Sequence, residues 1–166
     1  NASLVVAGDF KPEEIKPFIE ATFGGIAAQE LPERPVPETP DAPVTSLVEL
    51  QDQVAIPATM MLWHTPASMK PGDAELDILA NILATGRSAR LYDRLVRQEG
   101  AALEVGAYQM SQRYSSLFMI EAKPTEGNNL EDIEALIDEE LQRLATEGPT
   151  EAEVERARNY YEMATL

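Results

Sequence analysis

Cysteine is absent from the 166 residues of this chain, and histidine occurs only once, at position 64. The lack of cysteine excludes disulfides, thiolate metal ligands and a cysteine nucleophile. A catalytic zinc usually takes three protein ligands, often including two histidines, so a single histidine argues against a zinc site within this chain. A serine triad would need the same histidine and a serine on a Gly-x-Ser-x-Gly elbow, and that motif does not occur. The two glycine-rich motifs that bind phosphates, Gly-x-x-x-x-Gly-Lys and Gly-x-Gly-x-x-Gly, do not occur either.

Basic residues are scarce as well. Thirteen Lys and Arg stand against 29 Asp and Glu, which gives a net charge of -16 and a pI near 4.3. Such a chain repels a polyphosphate backbone, which excludes most nucleic-acid-binding functions. No apolar run approaches the ~20 residues of a membrane span. The strand-like start, NASLVVAGDF, and the helix-like end, RARNYYEMATL, suggest a piece of a longer protein.

The remaining polar candidates are better explained as structural than as catalytic. His64 lies in a predicted strand, where an exposed or hydrogen-bonded strand residue is a better interpretation than a metal ligand. The acidic run Asp138 to Glu140 lies on a predicted helix, and a solvated face is favoured there over a general acid/base pair. The sequence therefore predicts no catalytic, cofactor-binding or metal-binding residue in this chain.

Hydrophobic periodicity and turn residues predict ten elements in the order β-α-β-β-α-α-β-β-α-α. They are a buried strand at 2–8, a helix at 12–24, strands at 44–50 and 58–65, a helix capped by Asp73 and a helix capped by Ser88, strands at 103–110 and 117–122, a helix at 130–147, and a final helix capped by Thr150. Strand 58–65 is almost continuously apolar, which is typical of a central strand. Pro17 should kink the first helix or delay its start, because proline has no N–H to donate.

This order predicts an α+β fold, with a single largely antiparallel or mixed β-sheet and helices packed on one face. Residues 1–166 should form one domain. Leu31 to Pro43 carries five of the twelve prolines and should be a crossing segment within that domain. At ~3.1 Å per residue it is long enough to pass along one side. A domain boundary at this segment is the alternative.

One basic cluster stands out in the acidic chain. The stretch GRSARLYDRLVRQEG, from Gly86 to Gly100, holds four arginines. Arg87, Arg90, Arg94 and Arg97 fall on two or three faces of a regular helix, so they cannot all point at one ligand. Structural salt bridges, with Asp93 and Glu99 near enough to pair, are favoured over an anion-binding site or a surface for another domain.

Several segments, in order, resemble the insulinase/pitrilysin family of zinc metallopeptidases, which includes mitochondrial processing peptidase. They are VVAGDFKPEE, FIEATFGGI, LWHTPA, ELDILANIL, GRSARLYDRLV and LATEGPTEAEVERARN, and the match runs over essentially the whole chain. The resemblance implies a mitochondrial-processing-peptidase-like metallohydrolase fold. In this family a half consists of two similar domains, and zinc lies only in the first domain of one half, on a His-x-x-Glu-His helix.

Because this chain has no His-x-x-Glu-His, it resembles the second, non-catalytic C-terminal domain of a half. The family's other functional element, an Arg followed seven residues later by a Tyr in the opposite half, falls here on Val96 and Leu103, and Arg97 is one residue out of phase. Because this chain lacks the Arg and the Tyr, the resemblance implies that it belongs to the half whose upstream domain carries zinc. The resemblance further implies part of the wall of a chamber enclosing an unfolded peptide, a second homologous half or subunit as partner, and the periplasm as the compartment.

Two other interpretations stay open. The chain could be the matching domain of an inactive paralogue that serves as a scaffold or partner subunit. It could also be a stand-alone binding module with the helix RSARLYDRLVR as its surface. Under the structural interpretation of that helix, replacing Arg90 and Arg94 by alanine should cost a fraction of a kcal/mol to ~1 kcal/mol of stability.

Overall fold

The chain forms two compact units, residues 1–37 and residues 38–166. The structure, a computed structural model, describes residues 2–33 and 45–164. The proline-rich segment at 31–43 lies outside the described residues except for its first three positions. The organisation of residues 1–166 as one domain therefore stays a prediction.

Over its described residues, 2–33, the first unit contains one helix, α1, which spans Pro12–Phe23. The predicted helix is confirmed, and Pro17 lies inside it without delaying its start. The predicted strand at 2–8 is wrong, since residues 2–7 have no regular structure and residues 2–8 are exposed. Apolar, β-branched composition favours a strand, but a strand forms only where a neighbouring strand supplies hydrogen bonds and packing.

In its described residues, 45–164, the second unit contains a three-stranded sheet and four helical segments. In chain order these are β1 (Thr59–Thr65), α2 (Asp73–Ala84), a π-helix (Tyr92–Gln98), β2 (Ala102–Met110), β3 (Ser116–Pro124), α3 (Leu130–Glu147) and α4 (Glu151–Ala164). Within the described residues, none of these helices is long and apolar enough to cross a membrane. Residues 45–50 are exposed and without regular structure, so the strand predicted at 44–50 is also wrong over its described part.

The sheet is antiparallel, with the order β1-β3-β2. The predicted hairpin of β2 and β3 is confirmed. The central position predicted for β1 is wrong, because β1 is an edge strand and β3 lies in the centre. The apolar run of β1 suggested that this strand is buried on both faces, yet its Met60 and Leu62 are 58% and 54% exposed.

One face of the sheet packs against the helices and contributes its side chains to the core. Along β3 the even-numbered residues from Ser116 to Pro124 are buried, whereas the odd-numbered residues between them are not, as the two-residue period of a strand requires. Phe118 and Ile120 contact a cluster to which α2, the π-helix and α3 contribute Leu83, Leu95 and Ile137. The fold is therefore α+β, with helices packed on one face of an antiparallel sheet, as predicted.

The segment between α2 and β2 differs from prediction in geometry. Ser88 makes no cap, and residues 92–98 form a π-helix in place of an α-helix. In a π-helix the i and i+5 residues lie one turn apart. Two side-chain pairs have that spacing, Arg94 with Glu99 at 3.0 Å and Gln98 with Asp93 at 2.7 Å. These pairs fit the wider turn.

Candidate functional site

Arg90, at the start of the helical segment 90–98, is the most buried cation of the arginine cluster, with 8% of its side chain exposed. Its Nε and Nη2 donate to the two carboxylate oxygens of Glu153 at 2.7 and 2.8 Å. Nη2 also donates to the carbonyl oxygen of Gly148 at 3.1 Å. A bidentate pair of this kind fixes direction as well as distance. Arg90 therefore joins the π-helix segment to the turn between α3 and α4.

Glu140 completes this cluster from α3. Its side chain is 3% exposed, and its Oε1 lies 3.7 Å from Nη1 of Arg90 and 2.7 Å from Nη2 of Arg143. The prediction of a solvated face is confirmed for Asp138 and Glu139, which are exposed, and is wrong for Glu140. Glu140 lies seven residues after Ile133 and four before Leu144, so helical spacing alone places it on the buried stripe.

Glu153 has a second role at the start of α4. Its Oε2 accepts from the backbone N–H of Thr150 at 2.7 Å and from the Thr150 hydroxyl at 2.9 Å, while its own N–H donates to that hydroxyl at 3.3 Å. The predicted capping box is confirmed. Because Glu153 both caps α4 and binds Arg90, the start of α4 is fixed to the π-helix segment.

Two other cations of the cluster, Arg94 and Arg97, pair with carboxylates nearer the surface. Arg94 pairs with Glu99 at 3.0 Å and with Glu139 at 3.4 Å, and Arg97 pairs with Asp93 at 2.6 Å. Exposed pairs such as Arg97–Asp93 contribute little to stability. The cluster therefore makes structural salt bridges, as predicted, although sequence reasoning did not identify Glu140 and Glu153 as the partners of Arg90.

A small polar cavity of about 180 Å³ lies beside these pairs. It is lined by three arginines and three acids, together with two neutral residues, so its formal charge is balanced: Ser88, Arg90, Asp93, Arg94, Gln98, Glu140, Arg143 and Glu153. An anion entering it would meet carboxylates as well as guanidinium groups. The arrangement favours an internal ion network over the alternative of an anion-binding site.

The guanidinium of Arg90 lowers the pKa of Glu153 to about 2 from an ordinary value of 4.5, with the Thr150 hydrogen bonds contributing in the same direction. The Glu153 carboxylate in turn raises the pKa of Arg90. Both shifts favour the charged pair in the folded protein.

Stability should consequently fall in acid. The folded pKa of Glu153 lies below its unfolded value, so its contribution is complete above about pH 4.5 and is lost as the pH falls toward 2. The shift corresponds to something on the order of 3 kcal/mol. Urea unfolding of the wild type and of Glu153→Gln at pH 7, 5, 4 and 3 measures this contribution. The difference between the two proteins should be the same at pH 7 and pH 5 and should shrink at pH 4 and pH 3, and a difference that stays constant down to pH 3 would contradict the assignment.

A second polar cluster connects α2 to the β2–β3 hairpin. Asp73 does not cap α2, where Gly72 is the N-cap residue. Instead its carboxylate accepts from the backbone of Met69 at 2.9 Å and from the side chains of Gln109 and Ser111 at 3.0 and 2.6 Å. These hydrogen bonds lower the pKa of Asp73. All of its partners belong to the protein, so this cluster is also structural.

The other predicted positions do not come together as a site. His64 is exposed on the edge strand β1, as predicted. Val96 packs against the core, and Leu103 is 53% exposed on β2. In the part of the chain that the structure describes, no three His, Asp or Glu side chains are placed to hold a metal ion.

The family described as "Peptidase M16 inactive domain" matches residues 1–161 of this chain. None of the curated proteins is significantly similar to it. The sequence match covers the described elements of both units, up to Tyr161 in α4.

Solved structures of similar proteins agree with this match. A proposed zinc protease from Bordetella pertussis Tohama I is 30% identical with a TM-score of 0.60, over 66% of this chain and 60% of that one. The inactive peptidase domain of a proposed zinc protease from Bordetella parapertussis is 30% identical with a TM-score of 0.61, over 70% of this chain and 63% of that one. A protease from Helicobacter pylori shares the fold at 20% identity and a TM-score of 0.68, over 95% of this chain.

This chain spans only part of each of these proteins, 60%, 63% and, for the Helicobacter pylori protease, 39% of the solved chain.

Proposed function

Because this chain belongs to the peptidase M16 inactive-domain family, we propose that it is the C-terminal, non-catalytic domain of a zinc-dependent metalloendopeptidase. In that protein it forms part of the wall of a chamber that encloses an unfolded peptide. The observation that carries the proposal is the family match over residues 1–161, together with the likeness to an inactive peptidase domain from Bordetella parapertussis.

The arrangement of polar groups supports a non-catalytic role. Arg90 pairs with both Glu140 and Glu153, and Asp73 binds the β2–β3 hairpin. Groups held in this way stabilise the fold and are not free to activate a water molecule or to polarise a peptide carbonyl. The chain's own contribution is therefore a rigid sheet with helices on one face.

The chemistry of the parent protein would reside in an upstream domain. We propose that this partner carries zinc, with histidines and a glutamate that activates water, and that a second homologous half closes the chamber. Zinc would supply a Lewis acid and an activated water in that domain. We also propose that the parent protein lies in the periplasm, which cell fractionation can test.

The proposal predicts that residues 1–166 alone hold no stoichiometric zinc and cleave no peptide. The parent protein should bind one zinc per half with an intact site and cleave an unfolded peptide, and deletion of residues 1–166 should abolish cleavage. Metal analysis by mass spectrometry and a quenched-fluorescence peptide assay on the three proteins measure these outcomes.

One tightly held zinc per chain of residues 1–166 would refute the proposal. A parent protein that lacks His-x-x-Glu-His and cleaves nothing would instead indicate the scaffold of an inactive paralogue. Reading the roughly 200 residues upstream, the size of one further domain, separates these two functions.

A further inference from the structure

One side of α4 forms an open groove of about 400 Å³. We call it the α4 groove and define it by the six residues of this helix that line it: Ala152, Glu155, Arg156, Asn159, Tyr160 and Met163. Residues three or four positions apart lie on the same side of a helix, so these six form one continuous stripe. The helix packs on the core through another side, which is marked by Ala157 at 0% exposure.

Arg156 shows what kind of group the α4 groove accepts. Its Nε and Nη2 atoms are buried, and within the described residues neither of them donates a hydrogen bond. Arg90 uses the same two nitrogens to hold the carboxylate of Glu153, at 2.7 and 2.8 Å. Leaving buried donors of a charged group without an acceptor costs free energy. The Arg156 fork therefore favours an occupant that brings a carboxylate.

The rest of the α4 groove offers apolar and aromatic surface. Tyr160 and Met163 are 48% and 70% exposed. The Tyr160 ring packs edge-on against Tyr161, with ring centroids 5.7 Å apart, and the Tyr161 hydroxyl donates to the backbone carbonyl of Asp77 on α2 at 3.0 Å. An aromatic ring held in this way loses little conformational entropy when a partner covers it. Tyr, Met and Arg are also the residue types enriched in protein interfaces.

One carboxylate borders the α4 groove as well. Glu155 is exposed, so its charge is solvated by water. Consecutive residues of a helix do not face each other, so Glu155 is not placed to pair with Arg156. An ion pair made at an exposed position contributes little free energy. The buried donors of Arg156, and not Glu155, therefore decide which partner fits.

From this arrangement we propose that the α4 groove binds an acidic–apolar segment of the parent protein from outside residues 1–166. An Asp or Glu side chain of that segment would accept from Nε and Nη2 of Arg156, and its apolar side chains would cover Tyr160 and Met163. The inference rests on the proposed function, which makes this chain one domain of a longer protein. A second copy of this chain is less suited, because two chains that each carry a net charge of -16 repel each other.

Arg156→Met tests the carboxylate contact, since it removes the charge and keeps an unbranched side chain. In residues 1–166 alone it should raise the melting temperature or leave it within about 1 °C, because the buried donors have no acceptor there. In the parent protein it should lower the melting temperature by at least about 3 °C, because the carboxylate of the bound segment then lies desolvated and unpaired. Scanning calorimetry measures both.

Arg158→Met is the matched control. Arg158 lies on the same helix, two positions further along, and its side chain is exposed. The substitution removes the same charge, and it should change the melting temperature of either protein by no more than about 1 °C, as is usual for a surface position.

Hydroxyl-radical footprinting measures directly whether the α4 groove is covered. Tyr160 and Met163 should react at least about tenfold more slowly in the parent protein than in residues 1–166, because the centre of an interface excludes water. Arg156→Met should restore part of their reactivity in the parent protein. A reference peptide added to each sample corrects for the radical dose.

Three outcomes would overturn the inference. The first is an equal effect of Arg156→Met in residues 1–166 and in the parent protein, since Arg156 would then act within this domain. The second is equal reactivity of Tyr160 and Met163 in the two proteins. The third is concentration-dependent dimerisation of residues 1–166, seen by analytical ultracentrifugation and abolished by Arg156→Met, since the groove would then bind a second copy. None of these affects the proposed function, which is decided by zinc content and cleavage in the parent protein.

Discussion

Replacing Arg90 by alanine should lower the free energy of unfolding by about 3 kcal/mol. The Arg90 side chain is 8% exposed, and its guanidinium pairs with two carboxylates whose side chains are 3% and 15% exposed, Glu140 and Glu153. Removing it leaves these charges desolvated and with too few partners, which costs more than the pair itself contributes. Urea unfolding at pH 7, followed by circular dichroism, measures the loss.

Two further variants give this expectation its controls. Arg97→Ala removes a pair whose cation is 59% exposed, and it should cost about 0.5 kcal/mol or less. Arg90→Lys keeps the charge but loses the bidentate fork, so its stability should fall between the wild type and Arg90→Ala. Equal losses for Arg90→Ala and Arg97→Ala would show that burial of the cluster contributes nothing. The sequence alone predicted a loss of ~1 kcal/mol at most for Arg90 and Arg94 together, because it treated both as surface residues.

Replacing Ile120 by alanine should lower the free energy of unfolding by about 3 kcal/mol. Ile120 is fully buried on the central strand β3 and belongs to the cluster that joins the sheet to the helices. Truncating it removes apolar contacts with the other residues of this cluster and leaves a cavity that the surrounding elements can fill only partly. Thermal and urea unfolding provide two independent measurements of the loss.

An exposed residue of the edge strand β1 supplies the matched comparison for this substitution. Leu62→Ala removes a similar volume from β1, where the side chain is 54% exposed, and it should cost below about 1 kcal/mol. A loss at Leu62 as large as that at Ile120 would mean that the Leu62 side chain is covered in solution.

The elements that the sequence predicted well are those whose signal is local. The stripe of α3, with Ile133 and Ile137 buried, follows from helical spacing alone. The capping box of Thr150 and Glu153 is readable from two residues three positions apart. The short polar link between β2 and β3 likewise predicts a hairpin, because two strands joined by so few residues must be antiparallel.

The wrong predictions depend on partners that are distant in sequence. Residues 2–8 and β1 are both apolar, yet only β1 pairs with β3. Position in a sheet depends on which strands meet, and this information is not contained in a run of apolar residues. For the same reason sequence analysis placed β1 in the centre. The error at Glu140 has a local cause, because its charge was given more weight than a helical spacing that places it on the buried stripe of α3.

The family resemblance gave what physical patterns could not. Composition and motifs excluded several kinds of chemistry, but they did not indicate a peptidase. The ordered segments pointed to the non-catalytic C-terminal domain of a zinc metallopeptidase, and the match over residues 1–161 confirms that family. The role in the parent protein and its substrate remain proposals with the tests given above.

By itself the sequence determined the α+β class, the helices of the second unit outside the π-helical segment, and the lack of cysteine and of a second histidine. These properties follow from local spacing and composition. The tertiary structure alone decided which carboxylates pair with Arg90, which strand lies in the centre of the sheet and which face of the sheet is not covered by the helices. Each of these depends on contacts between residues far apart in the chain, such as the 63 positions between Arg90 and Glu153, and such contacts form only when the elements pack together.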